Sequence, residues 1–261
     1  MSEIISIANQ KGGVGKTTTA VNLSSALAES GKRVLLLDMD AQSNATTSLG
    51  FSRNDYEFNI YHTLLGIKKL KDIILKTNIK RLSLAPSNIG LAGIDKEFYN
   101  PKNKNPELIL REKIKSLGKK YDYIIIDLPP ALGLLAINGL SASNSVIIPI
   151  QCEFFALEGL AQLQNTVTLI KQTINPKLKI KGFLPTMYST RNNLSKQVLD
   201  DLIHHFRDKL FYLEDDDRCI VIPRNIKIAE APSFGQPINR YAGNSKGSIA
   251  YKNLALAIMK G

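Results

Sequence analysis

The chain lacks most of the features that would place it outside the soluble cell interior. It has no run of about 18 apolar residues, so no membrane-spanning helix is expected. No basic segment followed by a long apolar one stands at the N-terminus, so no secretory leader is expected and the cytoplasm is the expected compartment. Cysteine is scarce. Cys152 and Cys219 lie far apart and form no C-x-x-C pair, which argues against a disulfide framework, a zinc site or an iron-sulfur cluster. Each is expected to be a reduced, small hydrophobic residue. Of the three histidines, His204 and His205 are neighbours on a predicted helix and would point apart, so they make a poor metal pair. No Gly/Ser-rich or Pro-rich linker divides the 261 residues. That length suits one domain with a large core, and a single domain over 1–261 is expected.

Charge is what the composition does supply. Lysine and arginine number 34 against 23 acidic residues, a net charge of +11. The excess is concentrated late: residues 171–261 hold 15 basic and 8 acidic side chains. Such a balance favours a polyanionic partner, nucleic acid or an anionic membrane surface, over a neutral one. A second basic group, Lys68, Lys69, Lys71, Lys76, Lys80 and Arg81, is expected to be a solvated face.

The most informative stretch is Lys11-Gly12-Gly13-Val14-Gly15-Lys16-Thr17-Thr18. An apolar run, Ile4–Ala8, precedes it, and Ala20, Leu23 and Leu27 follow at helical spacing. Strand, glycine-rich turn and helix start in direct succession make a phosphate-binding loop. Its glycines turn backbone N–H groups toward an anion, and the helix dipole adds attraction. The common G-x-x-x-x-G-K-[ST] pattern is not met, because Gln10 stands where its first glycine would be. An extra lysine, Lys11, opens the loop instead. A second cation there helps stabilise charge on a transferring phosphoryl group.

Further apolar strands end in acids. Val34–Leu37 leads to Asp38-Met39-Asp40, and Tyr123–Ile126 leads to Asp127-Leu128-Pro129-Pro130. All-apolar strands are buried on both faces, so the strand-helix rhythm implies an α/β fold: a mostly parallel twisted sheet flanked by helices on both faces. Ligands of such sheets gather at the carboxyl ends of the strands. Asp38, Asp40 and Asp127 therefore share an edge with the phosphate loop, where Asp127 matches a Walker B aspartate holding Mg²⁺. No N-K-x-D string reads guanine, so adenine is the expected base.

The K-G-G-x-G-K-[ST] form resembles the deviant Walker A loop of the ParA/MinD group of P-loop ATPases. Asp38–Thr46 is similar to that group's D-x-D-P-Q-G-N-A-T segment, with Ala41 and Ser43 replacing proline and glycine. Gln151–Glu153 is similar to a segment near the family's dimer face. Ile222–Gly235 resembles the P-R-N-[VI]-[RK]-[LI]-x-E-A-P-S-x-G segment of ParA/Soj partition proteins. The resemblance covers nearly the whole chain and implies an ATP- and Mg²⁺-dependent homodimer. In it Lys16 serves its own nucleotide, Lys11 reaches the neighbour's, and Asp40 activates or orients water. It further implies nucleotide contacts from Lys11 to Thr18 and from Met187, Pro223 and Asn225, and a magnesium shell of Thr17, Asp38 and Asp127. Arg191, Arg224 and Lys227 would hold double-stranded DNA without sequence preference, placing the protein on the nucleoid. A ParB-like centromere-binding protein would stimulate weak turnover. A Min-type membrane-associated cell-division ATPase is the alternative. Its terminal basic amphipathic helix has no counterpart after the apolar face expected of Ile249, Tyr251, Leu254 and Ile258, so no stable membrane association is expected. An electron-transferring reductase on the same fold would need paired cysteines.

The other expected elements are helical fragments at Ile60–Leu65 and Leu70–Leu75, a strand at Leu82–Ala85, and a loop at Asn100–Pro106 followed by a helix to Leu117. Strands are expected at Ser145–Ile150 and Ile180–Pro185. A helix from Leu194 should bury Leu194, Val198, Leu202 and Phe206. The acidic run Glu214–Asp217 has no assigned role.

Overall fold

The computed structural model describes residues 2–98, 105–154, 156–213 and 216–260. Seven strands form one sheet: β1 (Glu3–Ile7), β2 (Val34–Asp38), β3 (Leu75–Lys76), β4 (Leu82–Ala85), β5 (Tyr123–Asp127), β6 (Ser145–Gln151) and β7 (Lys179–Thr186). Their order is β3-β4-β2-β5-β1-β6-β7, and every pairing except β3–β4 is parallel. Among the described residues eleven α-helices surround it: α1 (Lys16–Glu29), α2 (Asn44–Ser48), α3 (Ile60–Leu64), α4 (Ile94–Phe98), α5 (Ile109–Lys115), α6 (Leu134–Ala142), α7 (Ala156–Thr173), α8 (Asn193–Phe206), α9 (Ile226–Glu230), α10 (Ile238–Tyr241) and α11 (Lys246–Lys260). A separate antiparallel pair, β8 (Tyr212–Leu213) with β9 (Asp216–Cys219), packs against the core.

Alternation along the strands builds two apolar layers. Leu35, Leu37, Ile124, Ile126, Val146 and Ile148 face one way and pack with Leu110, Leu140, Leu163 and Val167. Leu36, Ile5, Ile7, Ile125 and Ile147 face the other, against Leu23 and Leu27 of α1 and Tyr251 and Leu254 of α11. Each such side chain removed from water contributes roughly 1.5–3 kcal/mol. The central strands are therefore the rigid mount for what projects from their ends.

Register aligns those ends. Asp127 lies opposite Ile7 on one side and Asp38 on the other, so the loops after β1, β5 and β2 emerge side by side. At the opposite, amino edge, Val34 pairs with Leu82 and Tyr123, and Lys179 with Ser145. The segments entering that edge carry Lys32-Arg33, Lys80-Arg81, Lys119-Lys120, Lys177 and Lys179, all exposed except the half-buried Lys32. Arg33 grips Asp122 with two nitrogens, and Lys181 pairs with Glu3 at 2.8 Å.

Several sequence expectations are corrected. The fragment expected as helical at Leu70–Leu75 is a single 3-10 turn, Leu70–Asp72; Leu75 then turns into β3, because Leu75 and Lys76 find partners on the free edge of β4. Leu194 and Ile249 are exposed; Ser195 and Ser248 take the inward positions on α8 and α11 instead. The His204 and His205 rings do not point apart but meet edge to face at 4.8 Å. Much of the Asn100–Pro106 loop, and Glu214 and Asp215 of the acidic run, lie outside the described residues. Asp217 pairs with Arg207 at 3.1 Å.

Candidate functional site: a phosphate cradle at the carboxyl edge

Residues 9–15 cross from the end of β1 to the start of α1. Gly13 and Gly15 adopt φ of 76° and 91°, a left-handed backbone that side chains resist, so the turn requires glycine at both. Gly15 caps α1, whose first turn contains no acidic residue, and its dipole faces the loop uncompensated. The loop is tethered on its β6–β7 side. Thr186 donates to the Val14 carbonyl at 2.8 Å, and the Asn9 amide donates to the Pro149 carbonyl at 2.7 Å.

Lys16 is 7% exposed, and its ammonium donates to the Lys11 carbonyl at 3.1 Å. Burial lowers its pKa, while Asp127 and Asp40 oppose that shift. Lys11, by contrast, points outward and pairs with Glu153 at 3.1 Å. The structure thus assigns the two lysines different surroundings, one enclosed under the loop and one on its rim.

The two strand-end acids beneath the cradle are both fully buried but unequal. Asp38 accepts from the Thr46 amide (2.8 Å), the Thr46 hydroxyl (2.7 Å) and the Asp40 amide (3.1 Å). Both oxygens of Asp127 lack a partner among the described residues; the Thr17 hydroxyl stands near without closing a well-formed hydrogen bond. Burial first, then the charge of Asp38, pushes Asp127 well above the usual carboxylate range, and burial raises Asp38 to about 6. A buried unpaired carboxylate is costly, and a divalent cation is the ligand that removes the cost. Thr17 and Asp127 fit that ion. Asp38 was expected in the same shell, but its oxygens already serve three donors, and the geometry makes it a brace for the Asp40 loop.

Ser87, invisible to any motif, completes that brace. It is fully buried, and its hydroxyl lies 2.6 Å from the Asp40 carbonyl and 3.0 Å from the Ser43 hydroxyl, while its amide donates to Thr46 at 3.2 Å. Only its place after β4 and Pro86 could have flagged it. Farther along, the backbone at Gly50 meets Gly235 so closely that a Cβ on Gly235 would fall 2.6 Å from the Gly50 Cα.

The residues expected around the base also converge. Tyr188 and Pro223 form a parallel bridge, and the Arg224 amide donates to the Tyr188 carbonyl at 2.9 Å, which places Met187, Pro223 and Asn225 in one neighbourhood. Asn225 has a structural task as well, because its side-chain oxygen caps α9. The expected DNA contacts Arg191, Arg224 and Lys227 are all exposed. Lys227 is not free: Glu230 holds it at 3.0 Å and also accepts from the Tyr241 hydroxyl. Among the described residues no group of three or more His, Cys, Asp or Glu side chains could hold a metal, and burial pushes Cys152 and Cys219 up to about 11 and about 12. Both stay thiols at neutral pH.

The family model described as an AAA domain matches residues 2–180. The chain is 43% identical over 260 residues to the chromosome partitioning protein ParA of Myxococcus xanthus, covering 100% of this chain and 89% of that one. It is 48% identical over 255 residues to the sporulation initiation inhibitor protein Soj of Bacillus subtilis, covering 98% and 97%. Cobyrinic acid a,c-diamide synthase of Mycobacterium smegmatis, solved with ADP and magnesium, superposes with a TM-score of 0.84 at 35% identity, over 100% of this chain and 95% of that one. The septum site-determining protein MinD of Pyrococcus horikoshii, solved with Mg-ADP, gives 0.77 at 29%, over 100% and 97%.

Proposed function

The chain belongs to the ParA/Soj family of P-loop partition ATPases, and from that premise we propose that it is an ATP- and Mg²⁺-dependent switch that moves DNA rather than an enzyme acting on a second substrate. The observation that carries this reading is the pairing of a buried Lys16 with an unpartnered, buried Asp127 under a left-handed glycine turn. The cradle from Lys11 to Thr18 binds the triphosphate through its amides and Lys16. A bound magnesium ion would supply neutralisation of the charge that develops on the phosphates. Thr17 and Asp127 hold it, and Asp38 fixes the loop that aims Asp40 at the attacking water. Met187, Pro223 and Asn225 border the base.

Lys11 gives the site its second half. Exposed and held by Glu153 among the described residues, it is placed to leave that partner for the nucleotide of a second copy. ATP thereby closes a homodimer, and the whole chain 1–261 acts as a single domain. Arg191, Arg224 and Lys227 of the closed dimer contact phosphates of double-stranded DNA without reading bases. Hydrolysis, stimulated by a ParB-like centromere-binding protein, releases it. Association with the cytoplasmic nucleoid follows.

The test is a gel shift at physiological salt with and without ATP, on wild type, Lys16→Ala and Arg191→Glu. ATP should tighten wild-type binding at least about tenfold, Lys16→Ala should abolish that gain, and Arg191→Glu should cost about tenfold, as loss of several phosphate contacts does. Equal wild-type affinity with and without ATP would sink the switch.

A further inference from the structure

The amino edge of the sheet takes no part in the function proposed above, yet it concentrates exposed cations. Four separate connections deliver them: Lys32-Arg33 before β2, Lys80-Arg81 before β4, Lys119-Lys120 before β5, and Lys177 with Lys179 at the start of β7. Register puts them on one rim, because the first residues of these strands align across the sheet. Six strands at about 4.8 Å spacing, β4 through β7, make that rim on the order of 24 Å long.

Few acids neutralise it. Asp122 is taken by Arg33, which lowers its pKa to about 2, and Glu3 is taken by Lys181. The Arg81 guanidinium is turned inward to the Gly31 carbonyl. Lys32, Lys80, Lys119, Lys177 and Lys179 form no ion pair among the described residues.

We propose that this rim is a second contact surface for double-stranded nucleic acid, independent of the nucleotide state. Its length matches about seven base pairs at about 3.4 Å each along a strand. No large exposed apolar side chain belongs to the rim; Ile67, Ile89, Phe154, Leu169, Leu194, Ile226, Phe234, Ile249 and Leu256 all lie on other segments. Without such side chains a bilayer contact would lack the buried apolar area that strengthens it, so the chemistry favours a phosphate backbone over a lipid surface. Nor is there an exposed aromatic ring for unpaired bases to stack on, which favours a duplex over a single strand. About 17 Å of strand separates the rim from the phosphate cradle. Neither ATP nor the apposition of a second copy through the carboxyl edge would cover it.

The experiment measures binding of a random-sequence 24-base-pair duplex by anisotropy, without nucleotide, from 50 to 200 mM salt. It compares wild type with Lys80→Glu/Lys119→Glu/Lys177→Glu. A control with the same charge change elsewhere, Lys69→Glu/Lys71→Glu/Lys252→Glu, separates the rim from net charge. Anionic vesicles serve as a competing probe, and ATP turnover with thermal melting reports folding. The rim variant should lose at least about tenfold in affinity at 50 mM salt and about 2 to 3 from the log-log salt slope, near 0.9 per lost phosphate contact. The control and Lys16→Ala should bind like wild type. Equal losses in rim and control variants, no nucleotide-free duplex binding by wild type, or vesicle binding that depends on the rim would each overturn the proposal. None of these outcomes bears on the ATP-dependent gain assigned to Arg191.

Discussion

The two edges of one sheet handle charge in opposite ways. At the carboxyl edge, Lys16, Asp38 and Asp127 are buried around one loop, and their ionisation is distorted by burial. At the amino edge, Lys80, Lys119, Lys120, Lys177 and Lys179 stand in solvent on three connections, and a fourth carries the half-buried Lys32. Enclosed charges interact through low dielectric, so each strengthens or penalises its neighbour by kilocalories; exposed ones are screened, and only their sum over many positions matters. Chemistry is therefore confined to the first edge, and the second can at most contribute additive, salt-sensitive attraction.

The largest expected effect breaks the first edge outright. Asp127→Asn should lower ATP turnover at least about 100-fold, comparable with the loss of one transition-state group, while raising the melting temperature of nucleotide-free protein by a few degrees, because it deletes a buried unpartnered carboxylate. A melting temperature that falls would show that Asp127 is satisfied in the free protein. Such opposite signs identify a group kept for function against stability.

A pH titration sharpens the contrast. Asp38 and Asp127 are both raised in the folded state, so the stability tied to their protonated forms is complete in acid and lost as pH rises, through about 6 for Asp38. Asp122 is lowered to about 2, so its contribution is complete above pH 4 and lost only as pH falls below that. Between pH 5 and pH 8 the two edges separate. Nucleotide-free protein should melt higher at pH 5 than at pH 8, and Mg·ADP should flatten the difference. A melting temperature that rises from pH 5 to pH 8 would refute the assignment. The smallest effect belongs to the amino edge: Arg33→Ala should leave the urea midpoint nearly unchanged, since exposed ion pairs are worth little.

These contrasts also decide what could be read from sequence. Strands such as Val34–Asp38 and Tyr123–Asp127 declare themselves, because burial on both faces leaves an uninterrupted apolar run. The phosphate loop is equally legible, because Gly13 and Gly15 must be glycine to turn there. Ser87 is not. It acts through the geometry between β4 and the Asp40 loop, 47 residues apart, and one serine after a proline has no periodicity. The different fates of Asp38 and Asp127 were hidden for the same reason: both read as an acid ending an apolar strand, and only Thr46 folding back separates brace from open ligand. The amino rim was legible only in part. Lys80 and Arg81 were grouped with Lys68–Lys76 along the chain, whereas the sheet joins them to Lys32, Lys119 and Lys179.

Gly50 and Gly235 touch backbone to backbone, with no side chain between them to change rotamer. Gly50 closes the segment that begins at Asp40, and Gly235 closes the one that carries Lys227. A methyl or longer group at such a junction would act as a spring, taking up small displacements by torsion. Bare backbones at this distance behave as a hard stop, because packed interiors are stiff and pass strain on. The loop that carries Asp40 and the segment that follows Arg224 are in this sense geared parts, meshed at one tooth.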